Sequence, residues 1–471
     1  MKSIQVCFDL YLSFMKFYLK YSFLLFLLCV CGRPDILDQD LYEHELTARS
    51  FEKSMKENLL ATWYPISFDF DSGGYFSNFD YQFNLIEGSH DKFIVTQARH
   101  LWSSAVAMQV YPEVEYYSKG AKLGFEFLKN HMWDPLNGGF FQMVNRSGRP
   151  LLENESMKTA YGNSFGIYAL ATYFEVSGDS AALDLAIQAF QWLNENSYDP
   201  VHGGYFQHLS QSGEPINRKD DTPSGSDLGY KDQNSSIHLL EAFTALYKVW
   251  DDSILEKRLE EMLLLVRDTI THEDGYLILF FKPDWTPVSF QQESRETILN
   301  HRQLDHVSYG HDVETAFLMM ESAHALGWGD DEITLNQGKK MIDHALTYGW
   351  DDENGGFYDE GYYFKGENEP EIIKDSKNWW AQAEGMNALL MMANYYPDDE
   401  IDYLGKFQQQ WEYIQNYLID HVHGDWYPGG LDKQPEMKTA DKGHIWKGNY
   451  HQLRSFKHSI EMLRNMGLSK D

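Results

Sequence analysis

The sequence predicts an all-α fold, an (α/α)6 barrel of six helical hairpins with long loops and short β-hairpins at one end. The first observation behind this prediction is a turn that combines an acidic or amide residue, glycines and an aromatic residue, as in Asp71–Phe76. The turn recurs at intervals of 65 to 80 residues, with its first glycine at Gly73, Gly138, Gly203, Gly275, Gly355 and Gly424. A repeat of this length indicates an array of similar structural units rather than two or three unrelated domains.

The second observation is the alternation of two kinds of helix between these turns. Residues 114–131 carry apolar side chains on one face and charged ones elsewhere, which is typical of an outer helix. The segment that follows Asn234 is apolar on nearly every side, which is typical of a buried helix. An inner and an outer ring are therefore expected, although an open solenoid would show the same pattern. Helices are predicted near 40–61, 93–111, 114–131, 157–177, 180–197, 234–251, 253–270, 310–327, 332–348, 378–396, 401–420 and 447–466.

The position of the turns predicts where a ligand would bind. Each glycine turn leads from an outer helix to an inner one, so all the turns should lie at one end of the barrel. The longest inserts, 207–233, 277–309 and 357–377, fall at that same end. We therefore expect a substrate cleft there, on the barrel axis.

The composition excludes several classes of function. The chain has 471 residues, 39 Lys and Arg against 71 Asp and Glu, and a formal net charge of −32. Such a charge argues against nucleic acid and anionic membranes as partners and suits a neutral small molecule. The only cysteines are Cys7, Cys29 and Cys31, so the rest of the chain has no disulfide, no thiolate metal site and no cysteine nucleophile.

The first 31 residues read as a signal peptide or a lipoprotein leader. Lys16 and Lys20 precede an apolar run from Phe23 to Cys31 that is too short to span a membrane. Cys31 is a candidate for a lipid anchor, which predicts an exported, periplasmic or membrane-anchored protein. The alternative is a cytoplasmic protein with a misplaced start. Residues 40–471 are predicted to form a single barrel domain, as a monomer or homodimer.

Polar and aromatic residues recur at the start of all six predicted inner helices. A lone histidine on an apolar helix is more often structural than functional. Six such placements at one end of a barrel, however, would converge on its axis. The candidate site residues are Arg99 on the first inner helix, Tyr161 on the second, Asn234, His238 and Glu241 on the third, His311 and Glu314 on the fourth, Trp379, Trp380 and Glu384 on the fifth, and Trp446 and His451 on the sixth.

These side chains suit proton transfer on a sugar. Histidine titrates near neutrality, so His311 and His451, on non-adjacent helices, could take and return a proton on opposite sides of a substrate. Arg99 could stabilise an oxyanion. The pairs His238 with Glu241 and His311 with Glu314 are three residues apart, so each pair shares a helix face. The tryptophans offer flat faces for a sugar ring.

Three other functions share these residues. His238, Glu241, His311 and Glu314 could in principle bind zinc or manganese, but the chain has no His-Glu-x-x-His motif and no clustered aspartates, so we expect no metal. A glycoside hydrolase or lyase would need two of the three candidate glutamates about the scissile bond. The third alternative is a sugar-binding protein without catalysis.

Five motifs together resemble one known family. The chain is similar to the N-acylglucosamine 2-epimerase superfamily, and within it to the cellobiose 2-epimerases, over about residues 45 to 465. Two positions differ from the family pattern, at Ser236, where a histidine is usual, and at Gly448-Asn449, where a proline is usual. Both lie near the expected sugar subsites. The motifs are Ala98-Arg99-His100-Leu101-Trp102, Asn234-x-x-x-His238-Leu239-Leu240-Glu241-Ala242, Ser308-Tyr309-Gly310-His311-Asp312-Val313-Glu314, Trp379-Trp380-x-Gln382-Ala383-Glu384 and Trp446-Lys447-x-x-Tyr450-His451.

The resemblance implies an activity and assigns roles. It implies an (α/α)6 barrel and epimerisation at C2 of an aldose, mono- or disaccharide, through a cis-enediolate, without a metal or redox cofactor. An aldose–ketose isomerase of the mannose isomerase type is the nearest alternative. By resemblance, His311 and His451 are the acid–base pair and Glu314 supports them. Arg99, His238, Asn234 and Tyr161 would contact the substrate or the enediolate, and Trp380 and Trp446 would line the sugar subsites.

Overall fold

A computed structural model describes residues 36–151, 157–218 and 226–466. Contacts divide the described residues into a large unit, Phe51–Met462, and a small unit to which residues 36–50 and 463–466 belong. The leader predicted over residues 1–31, with Cys31, lies outside the described residues and stays a prediction. Among the helices that the structure describes, none is long and apolar enough to cross a membrane.

The large unit is an (α/α)6 barrel, as the sequence predicts. The inner ring is formed by α2, α4, α6, α9, α11 and α13, most of whose residues are buried, and the outer helices of this unit pack around them. In the described part of the chain the helices in order are α1 (Ile36–Lys53), α2 (Ile94–Val110), α3 (Glu115–Phe127), α4 (Ala160–Ser177), α5 (Ser180–Asn196), α6 (Gln233–Tyr247), α7 (Ser253–Leu265), α8 (Arg295–His301), α9 (Tyr309–Ala325), α10 (Glu332–Tyr348), α11 (Trp379–Tyr395), α12 (Tyr403–Tyr413) and α13 (Tyr450–Asn465).

Short antiparallel strands stand where the sequence predicts the starts of some inner helices. For example, Lys92 in β1 pairs with Val144 in β2, so the residues just before α2 are extended and bind the hairpin of the next repeat. The helix predicted from 93 therefore begins at 94, and the one predicted from 157 begins at 160. The strands are β1 (Lys92–Phe93), β2 (Met143–Val144), β3 (Lys158–Thr159), β4 (His208–Leu209), β5 (Lys231–Asp232), β6 (Phe280–Phe281), β7 (Val307–Ser308), β8 (Glu360–Tyr362) and β9 (Glu371–Lys374).

A buried ion pair closes five of the six glycine turns. We call it the lysine lock: a lysine that precedes the inner helix binds the aspartate that opens the turn of its own repeat. The lysine Nζ also donates to the carbonyl of the turn's first glycine, for example from Lys231 to Gly203 at 2.9 Å. The locks, with their Nζ to carboxylate distances, are Lys92–Asp69 (3.0 Å), Lys158–Asp134 (2.8 Å), Lys231–Asp199 (2.7 Å), Lys377–Asp351 (2.7 Å) and Lys442–Asp420 (2.9 Å).

The glycines are required at these turns by both conformation and space. Gly73 and Gly74 have φ angles of +85° and +68°, in the left-handed region that favours glycine. A Cβ on Gly74 would also lie 2.5 Å from Oε1 of Gln97, the inner-helix side chain that binds the backbone of Tyr75. Together, glycines and locks fix the end of the barrel from which the inner helices begin.

We expect the substitution Lys158→Met to lower the free energy of unfolding by about 3–5 kcal/mol, because it leaves a buried carboxylate without its partner. Both side chains of this lock are almost fully buried, at 0% and 2% exposure. Urea denaturation measures the effect. As a control, Lys119→Met removes an exposed pair with Glu115 on α3 and should change stability little. Equal effects of the two substitutions would contradict a structural role for the lock.

Candidate active site

The starts of the inner helices enclose a pocket of about 200 Å3 on the barrel axis. Because each inner helix begins at the same end, its first turns point their polar side chains toward one another. Ten of the twelve residues that the sequence predicts for the site line this pocket. They are Arg99, Tyr161, Asn234, His238, His311, Glu314, Trp379, Trp380, Trp446 and His451.

His311 lies in the first turn of α9 and is held from behind. Its Nδ1 is 2.7 Å from the hydroxyl oxygen of Ser308, which ends β7. Its ring packs against Trp380 with 4.6 Å between centroids. Burial, together with neighbouring histidines, lowers the pKa of His311 to about 3. The ring is therefore neutral at neutral pH, and Nε2 is the nitrogen left for a ligand.

His451 lies in the first turn of α13 and has a carboxylate partner. Its Nδ1 is 2.7 Å from Oε1 of Glu384 on α11. Burial, followed by the charge of Arg99, lowers the pKa of His451 well below its usual value. The carboxylate accepts the Nδ1 proton, which leaves Nε2 as a proton acceptor and would stabilise the imidazolium once Nε2 binds a proton. Two neutral imidazoles with fixed orientation thus share one pocket.

Two predicted substrate contacts, Glu241 and Glu384, lie behind the pocket wall rather than in it. Glu241 binds Nδ1 of His238 at 2.9 Å and accepts a hydrogen bond from the Tyr450 hydroxyl at 2.6 Å. Although burial opposes its ionisation, Arg454 and His238 lower the pKa of Glu241. Since both glutamates are already bound to protein groups, they orient histidines, and a direct contact with sugar is not what the structure shows.

Arg454 lies behind the pocket, where it joins three carboxylates, and it is absent from the site residues predicted from the sequence. Its guanidinium is fully buried and binds Glu241, Glu314 and Glu384, the last at 2.8 Å from Nη2. Burial opposes the charge, but these carboxylates raise its pKa further above the usual arginine range. One signal was available: Arg454 follows His451 by three residues and therefore shares its face of α13.

Arg99 is the cation of the pocket itself. Its Nη2 donates to the Tyr161 hydroxyl at 3.1 Å, and Nη1 donates to the Trp446 carbonyl at 3.3 Å. The guanidinium lies over the Phe165 ring, 4.4 Å from its centroid. Among the residues that the structure describes, no carboxylate forms an ion pair with Arg99 and its Nε has no hydrogen-bond partner. A cation without a carboxylate is suited to a developing oxyanion.

The three tryptophans of the pocket differ in exposure. Trp380 lies between the two catalytic candidates, with its ring 5.9 Å from that of His451. Trp379 is buried and contacts His444 edge to face. Trp446 is 48% exposed and makes a T-shaped contact with Phe93, so its ring is the most exposed of the three. Trp446 is therefore the best placed of the three to meet a sugar ring at the mouth.

One group of side chains has the spacing for a metal ion. Among the described residues, ligand atoms of Glu314, Glu384 and His451 all lie within 4.8 Å of one another. The guanidinium of Arg454 already forms ion pairs with both of these carboxylates. The group also differs from the set considered from sequence, with which it shares only Glu314. The negative charge of Glu314 and Glu384 is thus balanced by Arg454, a cation of the chain itself.

The chain is similar to known proteins over a range that includes every residue of the pocket. The family model described as N-acylglucosamine 2-epimerase (GlcNAc 2-epimerase) matches residues 74–455. A cellobiose 2-epimerase from Bacteroides fragilis is 28% identical over 415 residues, 87% of this chain and 97% of that protein. A D-mannose isomerase from Marinomonas mediterranea is 22% identical over 427 residues, 86% of this chain and 95% of that protein. The structure of cellobiose 2-epimerase from Spirochaeta thermophila aligns with a TM-score of 0.75 at 26% identity, covering 92% of this chain and 99% of that one.

Proposed function

We propose that this chain, which belongs to the N-acylglucosamine 2-epimerase family, is a sugar 2-epimerase that acts on the reducing-end glucose of a β-1,4-disaccharide. One observation carries the proposal: two neutral histidines, each fixed through Nδ1, share a pocket with an arginine that forms no ion pair with a carboxylate in the described part of the chain. The sugar class also draws on relatives that are named cellobiose 2-epimerases.

The groups in the pocket account for each step. The sugar ring opens, and Nε2 of one histidine accepts the C2 proton while the electrons move into a cis-enediolate. Arg99 donates to the developing oxyanion, where a fixed donor is most effective. Rotation about C2–C3 then presents the opposite face to the other histidine, which takes up a proton from solvent and returns it to C2, while the first histidine releases its proton to solvent. The negative enediolate favours that protonated form, because an opposite charge nearby raises the pKa of an imidazole.

The Ser308 hydroxyl and the Glu384 carboxylate have different effects on the two histidines in this mechanism. Glu384 favours the imidazolium of His451, whereas Ser308 gives His311 a neutral partner. The two rings therefore have partners of different charge although both are buried. This difference suits a pair in which one member accepts and the other donates.

A second candidate function is aldose–ketose isomerisation. A relative named D-mannose isomerase matches 86% of the chain, and the same enediolate gives a ketose if the proton is returned to C1. Glycoside hydrolysis is disfavoured by the site, because only Glu314 of the three candidate glutamates lines the pocket. A pair of carboxylates about the bond is what that chemistry requires.

Incubation with cellobiose in D2O is expected to give the C2 epimer, glucosyl-mannose, with deuterium at C2. The proton taken by a histidine exchanges with solvent before the other histidine supplies one, so the label enters with each epimerisation. Proton NMR of the product measures it. A ketose product would assign the chain to the isomerases, free glucose would indicate hydrolysis, and binding without exchange at C2 would contradict catalysis. Parallel incubations with glucose, mannose, lactose and N-acetylglucosamine define the sugar class.

A further inference from the structure

The fourth repeat is the one whose turn has no lysine lock. Val307 of β7 occupies the position that Lys92 has in β1, and His272 occupies the position of Asp69. The matching of positions follows from the paired backbone segments, since Thr271 bridges Leu277 as Phe68 bridges Tyr75. The second glycine of the turn is also replaced, by Tyr276.

These three replacements line one cavity. His272, Tyr276 and Val307 all face a space of about 240 Å3, and the pocket of the candidate active site has about 200 Å3. The two cavities share no lining residue. In five repeats a lysine side chain occupies this position. In the fourth repeat the lysine is replaced by Val307, which leaves space for a ligand.

The lining of this cavity, which we call the repeat-four cavity, combines aromatic rings with polar groups. Tyr276 stacks on His272 with 4.6 Å between centroids and on Tyr363 with 5.1 Å. Asp305 contributes a carboxylate whose Oδ2 accepts hydrogen bonds from the Tyr362 hydroxyl at 2.7 Å and the Phe290 amide at 2.6 Å. Its Oδ1 has no hydrogen-bond partner among the described residues.

This mixture is suited to a pyranose ring. A sugar presents C–H faces that pack on aromatic and aliphatic side chains, here including Leu279 and Val288, and hydroxyls that donate to a carboxylate. An anionic ligand fits less well, because the described residues that line the cavity include no lysine or arginine. A neutral ligand also suits a chain with a net charge of −32.

We propose that the repeat-four cavity is a second sugar site, which binds a neutral hexopyranose without transforming it. The size of the ligand rests on the proposed function: if the active-site pocket of about 200 Å3 binds a hexose unit, the repeat-four cavity of about 240 Å3 is large enough to bind one too. Among the described residues that line it, the repeat-four cavity has one histidine, His272, and no arginine, so it lacks the histidine pair and the oxyanion donor on which the proposed epimerisation depends. It adjoins β7, the strand that leads through Ser308 into the helix of His311.

Equilibrium dialysis with radiolabelled methyl β-D-glucopyranoside, whose ring cannot open, tests the site. The wild-type chain is compared with two variants that fill the cavity in different ways. The pair His272→Asp and Val307→Lys restores a lock of the kind that five other turns contain and leaves the formal charge unchanged. Ser289→Trp places an indole at the exposed rim. Thr286→Trp, on an exposed residue of the same loop that does not line the cavity, is the matched control.

At saturation we expect the wild-type chain and Thr286→Trp to bind one more equivalent of sugar per chain than either filled variant. The kcat/KM for epimerisation at low substrate should stay within twofold in all four proteins. Equal stoichiometry in the wild-type chain and both filled variants would overturn the inference. If the epimerase proposal fails, every protein loses the equivalent bound at the active site, but the difference of one between wild type and filled variants remains.

Discussion

Replacing His451 with Asn is expected to lower kcat/KM for C2 epimerisation by about 100- to 10,000-fold, the usual contribution of one general acid or base. Replacing His311 with Asn should have an effect of the same order. Each variant keeps an amide near the Nδ1 position but has no group that accepts a proton at Nε2. The rate of epimer formation from cellobiose, followed by NMR or chromatography, measures the loss.

The two variants should differ in a second measurement, the exchange of the C2 proton in D2O. Each retains one histidine of the acid–base pair, so each should exchange only the epimer whose C2 proton faces that histidine, and the two variants should select opposite epimers. His324→Asn, on a histidine that is 47% exposed and lies outside the pocket, is the control and should behave as wild type. Epimerisation that persists in both pocket variants would refute a mechanism with two histidines.

Replacing Arg454 with Met is expected to cause the largest loss of stability of any single substitution in the barrel. Three carboxylates share this guanidinium, and all are at least 97% buried. Breaking one buried ion pair by removing one partner costs about 3–5 kcal/mol, and the cost here should reach the upper part of that range. Urea denaturation at neutral pH measures the free energy of unfolding.

A comparison with Arg258→Met separates this effect from the loss of an arginine as such. Arg258 pairs with Glu261 on α7, where both side chains are partly exposed, so its loss should cost much less. Arg454→Lys keeps the charge but cannot reach three carboxylates with a planar fork, so its stability should fall between wild type and Met. A stability equal to wild type in Arg454→Met would show that the carboxylates are satisfied without it.

The sequence predicts which residues line the pocket better than it predicts which residues lie behind them. Arg99, His311 and His451 were identified because each occupies the first turns of an apolar helix, and a common helix start brings them together. Helical spacing gives the face of a residue, but the distance from the pocket depends on packing. Glu241, one turn beyond His238, lies about 4.5 Å further along the helix axis, and there it meets Arg454 rather than a ligand.

Other features were missed because they leave no periodic signal. A strand of two residues such as β3 shows no alternation, so both of its residues fall within the helix predicted over 157–177. The lysine lock joins residues 20 or more positions apart, for example Lys92 with Asp69, and pairing over that distance depends on how the turn folds back. The leader predicted over 1–31 is not among these missed features. It lies outside the described residues and remains a prediction.

The separation of Arg99 from Arg454 has an electrical consequence. Arg454 binds three carboxylates, of which Glu241 and Glu384 lie behind the pocket and Glu314 lines it, whereas among the described residues no carboxylate forms an ion pair with Arg99 in the pocket wall. A proton leaving C2 toward a histidine moves toward negative charge, and the electrons that it leaves behind move toward positive charge. The folded chain thus has an electric field across the empty pocket. In the proposed mechanism, this field favours both the movement of the proton toward a histidine and the movement of the electrons toward Arg99.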